Sequence, residues 1–189
     1  GQYFVICILE TLKGILIGFL SSLFFSIFAT AGQLMDTQIG FHMGGLLDPK
    51  YGTKIPLTGN LLNIVAFVVF LKLNGHLQMI YILSESYVSN PVGSIIIGEN
   101  ISNIFTSAFS IAYLFAVKIA LPVILIILFS ETILGIMIKF IPQMNIFVVG
   151  IPIKILVGVF ALMFIISPFI DILDSIFESM YKLVSQLYL

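Results

Sequence analysis

Apolar residues run along this chain in long blocks, and the few charges fall mostly at the edges of those blocks. Positions 14 to 31, "GILIGFLSSLFFSIFATA", hold no charge. The apolar stretch before them carries only Glu10 and Lys13, which share one helix face. A long spanning helix is predicted there.

Further on, "LTGNLLNIVAFVVFL" follows Pro56, with Pro56 and Thr58 as start signals and Lys72 closing the run, so a second helix is predicted from about residue 58. "NGH" at 74 to 76 puts a glycine just past that run, while "LQMIYILSESY" resumes the helical pattern as far as "SNP". That sequence predicts a kink or tight break. From Asn100 to Ser130 only Lys118 is charged, and Pro122 removes one backbone donor, which predicts two stacked half-helices. Pro142 and Pro152 each follow a short apolar piece, so the chain is expected to turn between them into a hairpin. At the end, Ile172, Ile176, Met180, Val184 and Leu187 fall on one face and Asp171, Asp174, Glu178 and Lys182 on the other. This is the pattern of an amphipathic helix.

One stretch departs from the pattern: "GQLMDTQIGFHMGGLLDP" at 32 to 49. Each central Leu, Ile or Phe of a spanning helix contributes about −0.3 to −0.6 kcal/mol to insertion, and each Asp costs about 2.5 to 3.5 kcal/mol. Asp36 and Asp48 would therefore cost roughly 5 to 7 kcal/mol together at the bilayer centre. Gly32, Gly40, Gly44 and Gly45 weaken helix further, by about 1 kcal/mol each relative to Ala. A loop is expected over 32–55, either outside the membrane or shielded by protein or a water-filled cavity. A plain connector is one reading. The other rests on Phe41, Met43, Leu46 and Leu47, bulky apolar groups on a pliable backbone that could plug a pore by dewetting, with Gly40, Gly44 and Gly45 as hinges.

Composition turns these segments into a class. The 189 residues are 60% hydrophobic and only 9% charged, and the mean hydropathy is +1.19. A soluble domain carries roughly a quarter charged residues, so the chain reads as an all-α integral membrane protein of bent helical hairpins. Residues 1–189 suit a single domain, because the apolar segments consume nearly all of it. Net charge is −1 with no basic run, which excludes nucleic acid as a partner. The lone Cys7, within "YFVICIL", reads as packing. The chain opens at Gly1 with neither a basic leader nor a cleavage-type site, so its start reads as trimmed.

Catalytic chemistry finds little support. His42 and His76 form no H-E-x-x-H, no second cysteine exists, and no G-x-S-x-G elbow occurs. Asp36 and Asp48 share one loop, unlike an intramembrane protease dyad. No cofactor is indicated, and the chain reads as a non-enzyme. Glu85, Lys118, Glu131 and Lys139 lie in or beside apolar stretches, where ion pairing between helices or subunits is favoured over proton relay. "GILIG" at 14 to 18 is a G-x-x-x-G packing signal.

Taken together, "GQLMDTQIGF", "LDP" at 47 to 49, "FLKLNGHL" at 70 to 77, "NPVG" at 90 to 93 and "PQMNIFVVGIPIK" at 142 to 154 resemble the FliR family of flagellar export-gate proteins, in order and from end to end. The match is to the C-terminal part of such a protein, with its first apolar segments absent. The virulence secretion counterpart shares the "PQ.N.F...P.K" region, whereas "MDTQIGF" followed by "DP" is more similar to the flagellar branch.

The resemblance implies one copy assembled with several FliP and FliQ subunits into a helical, pore-forming gate for unfolded flagellar export substrates. That gate works with FlhB and FlhA in the bacterial inner membrane, at the flagellar basal body. Much of the helical material would be raised out of the membrane plane, so that Lys118, Glu131, Lys139 and Lys154 face neighbouring subunits instead of lipid. Family members carry a plug loop at the position of the aberrant stretch. Aligned on "DP", that role falls on Met43 and Leu46, and by extension on Phe41 and Leu47. A secondary transporter subunit, binding ions near Lys118 and Glu131, is the rival from another class, and it would call for internal repeat symmetry. A scaffold whose loop merely packs is a third reading.

Overall fold

A computed structural model describes residues 2–41, 56–93, 101–141 and 146–187. Among these residues every regular element is a helix: α1 (Gln2–Ile39), α2 (Leu57–Lys72), α3 (Gly75–Ser89), α4 (Ile101–Phe140) and α5 (Ile146–Ser185). Three of them, α1, α4 and α5, are long and apolar enough to cross a membrane, and the bent pair α2–α3 adds a fourth candidate if it counts as one span. The 40 residues of α4 or α5 reach about 60 Å at ~1.5 Å per residue. That is about twice the hydrocarbon thickness, so part of each must lie beyond the lipid core or be covered by protein.

The chain divides into two compact units. The first comprises Gly1–Ile27, Val65–Phe115 and Asp171–Leu189. Here the expected break at "NGH" is a 66° bend between α2 and α3. Asn74 takes the left-handed conformation at φ 56°, and the α3 backbone starts at once with Gly75. Phe25, Phe70 and Phe177 close over the bend as a ring cluster with centroids 5.3 to 6.2 Å apart. A methyl at Gly75 would overlap the Phe70 ring and come within 2.5 Å of the Tyr181 hydroxyl. Gly75→Ala is therefore expected to lower stability by about 1 to 3 kcal/mol through overpacking, read as a lower thermal unfolding midpoint in detergent. An unchanged midpoint would mean that the ring cluster yields freely.

The amphipathic tail follows its pattern. Leu173, Ile176, Phe177, Met180, Leu183, Val184 and Leu187 are buried, while Asp171, Asp174, Glu178 and Lys182 are exposed. Cys7 departs from expectation: it is an exposed free thiol on α1 and packs no core. Gly14 and Gly18 also stand open, since a methyl added at either would meet no described atom within 4 Å, so "GILIG" seats no helix of this unit.

The second unit comprises Phe28–Ile64 and Ala116–Ile170. Its α4 is continuous through Pro122, so the two half-helices predicted there are one element. Proline removes a single ladder bond, to the carbonyl four residues earlier, and a long apolar helix keeps enough others to absorb that loss. α4 ends at Phe140 and α5 begins at Ile146, so Pro152, expected at the edge of a turn, lies inside α5, and residues 142–145 lie outside the described residues. Phe28 and Phe169 meet edge to face with centroids 5.8 Å apart. Gly158 lets α5 approach Ile39, whose Cγ atoms would stand 2.7 Å from an added methyl.

Candidate functional site

The aberrant stretch starts as helix. α1 runs through Gly32 and Asp36 to Ile39, so the loop expected from residue 32 begins no earlier than Gly40. Local propensity and lipid cost both favour a loop, and packing overrides both. At Gly32 a methyl would overlap the Cα and N of Gly59 and lie 2.8 Å from the Thr58 carbonyl carbon. Gly59 in turn sits against Ala29, with an added methyl 3.2 Å from its carbonyl oxygen. Bare backbone faces bare backbone, and the cost of glycine in a helix is offset by this close approach.

One turn along the same face, Asp36 uses that proximity. Its side chain is completely buried, and both carboxylate oxygens lie 3.2 Å from the Thr58 N–H, which donates to them. That N–H is one of the donors that the first turn of α2 cannot satisfy internally. A carboxylate there is a capping group, and the positive end of the helix dipole favours its charge by about 0.3 to 2 kcal/mol. Asp36 thus escapes the lipid cost by facing the start of another helix instead of lipid.

The end of α1 closes at Gly40 and Phe41, whose N–H groups both donate to the Asp36 carbonyl at 3.0 and 3.1 Å. Gly40 has φ +91°, the left-handed conformation that stops a helix. It is buried, and Phe41 is half-buried. Met43, Gly44, Gly45, Leu46 and Leu47 lie outside the described residues. The segment 42–55 is thus flanked by Phe41 and Pro56, whose helices are joined through Asp36 and Thr58. The sequence does carry a signal for this brace: Gly32 and Asp36 are four apart, as are positions of one helix face, and "PLTG" marks a helix start downstream.

Of the charged candidates, Glu131 and Lys154 come together. Lys154 Nζ donates to Glu131 Oε1 between α4 and α5. The two residues lie equal distances in sequence on either side of the 142–143 point. Their pairing is within this chain; Lys118 and Lys139 lie exposed on α4. The Glu131 side chain is 41% exposed, so in water the pair would contribute under about 1 kcal/mol. A double-mutant cycle with Glu131→Gln and Lys154→Met is expected to give a coupling of that size in detergent. A coupling near zero would make the pair incidental. Among the described residues no three His, Cys, Asp or Glu side chains gather as metal ligands.

Helix length, apolar exposure and the braced helix ends define an all-α membrane protein built for contacts with lipid or with other apolar helices. The family model of bacterial export proteins, family 1, matches residues 1–180, and this chain belongs to that family. It is 32% identical over 182 residues to the flagellar biosynthetic protein FliR of Escherichia coli (strain K12), covering 94% of this chain and 70% of that protein. To FliR of Bacillus subtilis (strain 168) it is 28% identical over 181 residues, with the same shares covered. The Yop proteins translocation protein T of Yersinia pestis is 32% identical over 147 residues, 77% of this chain and 56% of that protein. The chain is a FliR-type export protein.

Proposed function

We propose that this chain is the pore-closing subunit of a flagellar type III export gate. In this role it assembles with FliP and FliQ in the bacterial inner membrane at the flagellar basal body and works with FlhB and FlhA. It passes unfolded export substrates without catalysing a reaction, and other components supply the energy. The observation that carries this reading is the brace. Gly32, Asp36 and Thr58 hold together the two helix ends from which residues 42–55 depart. In this reading Phe41, Met43, Leu46 and Leu47 stop the pore by apolar bulk. Gly40, Gly44 and Gly45 let the segment swing aside. In the same reading Lys118 and Lys139 contact neighbouring subunits.

A virulence-type export subunit is the second reading, supported by the match to the Yersinia translocation protein over 77% of this chain. The flagellar reading is favoured because the flagellar relatives align over 94%. The transporter alternative is less supported, since the Glu131 carboxylate it would use for ion binding is paired with Lys154. Affinity purification of the tagged full-length protein from flagellated cells, followed by native mass measurement, tests the assignment. One copy with several FliP and FliQ subunits is expected, and a protein recovered alone or only with itself would sink it.

A further inference from the structure

Within the first unit a charge pair stands inside an apolar helix. Glu10 Oε1 accepts from Lys13 Nζ at 3.0 Å and from the Gly93 N–H at 3.1 Å. Gly93 can present that N–H because it sits at φ +88° in the turn after α3. Oε2 of the same carboxylate is buried and makes no hydrogen bond of normal geometry among the described residues, with the Tyr87 side chain the nearby donor of the lining. Beside it lies a cavity of about 40 Å³, lined by Glu10, Lys13 and Gly14 of α1 and by Ser86, Tyr87 and Asn90 at the end of α3.

We propose that this partly open cavity is a hydration site holding one to three water molecules, the first of which donates to Glu10 Oε2. Size supports it, since a water needs roughly 10 to 15 Å³ of such space. The lining residues also include the two to four polar partners that a bound water needs, since Glu10, Lys13, Ser86, Tyr87 and Asn90 stand there beside the apolar Ile17 and Leu83. Charge selects the ligand class. Glu10 and Lys13 already cancel, so a metal cation would leave an uncompensated positive charge in an apolar helix, whereas a neutral donor would not. The consequence is mechanical. Glu10 ties α1 to the far end of α3 through both oxygens, directly at Gly93 and through water at Ser86 to Asn90.

The test is an electron-microscopy map of the intact export complex at a resolution that shows ordered water, for the natural protein and for Glu10→Gln and Glu10→Met. A peak within about 3.2 Å of Oε2 is expected, retained in Glu10→Gln and lost in Glu10→Met. The proposal fails if the cavity of the natural protein is dry. It also fails if the Tyr87 hydroxyl or a neighbouring subunit's side chain occupies the place of the water. A peak that survives in Glu10→Met overturns it, as does a thermal midpoint that rises with added sodium or potassium. The map of the natural protein decides the matter even if the methionine variant does not assemble.

Discussion

Gly32→Ala is expected to destabilise the protein by about 3 kcal/mol, at the upper end of the range for overpacking. The sign is the informative part. Alanine in place of glycine inside a helix normally gains about 1 kcal/mol, and that gain is expected at Gly135, where an added methyl meets nothing within 4 Å. At Gly32 the methyl would overlap Gly59 Cα and N, and backbone atoms cannot rotate out of the way as a side-chain tip can. Relief requires α1 and the start of α2 to separate. That separation also lengthens the contact from Thr58 N–H to Asp36, so packing and capping are lost together. Thermal unfolding of the two variants side by side in detergent measures this. Equal shifts at Gly32 and Gly135 would mean that the helices do not meet at glycine.

Asp36→Leu carries the second large effect. Leucine has no acceptor, so the Thr58 N–H would be left unsatisfied in a fully buried place, at a cost of about 1 to 3 kcal/mol. Asp36→Asn keeps a carbonyl acceptor of the same shape and loses only the interaction of the full charge with the helix dipole, about 0.3 to 1 kcal/mol. The order natural, Asn, Leu is thus expected in thermal stability. Amide hydrogen exchange localises the effect, with faster exchange at the first turn of α2 in the leucine variant. Were the asparagine variant as damaged as the leucine one, charge and not acceptor geometry would govern the cap.

How far the sequence foretells this arrangement depends on whether a residue's partner is local. The break at Asn74–Gly75, the helix start near Thr58 and the two faces of the C-terminal helix depend on neighbours within a turn or two, and each stands where its pattern puts it. Gly32 and Asp36 mislead for the opposite reason. Their partners, Gly59 and Thr58, lie more than twenty residues away, and the same two residue types mark a loop when considered alone. Pro122 misleads similarly, since a helix long enough to lose one bond need not divide. Lys154 is legible as a charge near an apolar run, but its pairing with Glu131 requires the hairpin register. The exposed Cys7 shows that an apolar neighbourhood in sequence is no guide to burial in a helix whose surroundings are apolar.

The brace gives the proposed gate a physical basis. A segment can close a pore reproducibly only if its two ends are fixed, and Asp36, Thr58 and Gly32 fix the helices on which 42–55 is strung. In the proposed role, apolar bulk in the first part of that segment, at Met43, Leu46 and Leu47, excludes water and hence ions. Shortening residues 41–47 in the assembled complex and recording ion conductance across the membrane tests that role most directly. A pore-closing segment predicts a conductance well above that of the natural complex, with assembly intact by native mass. Unchanged conductance in an assembled complex would contradict it.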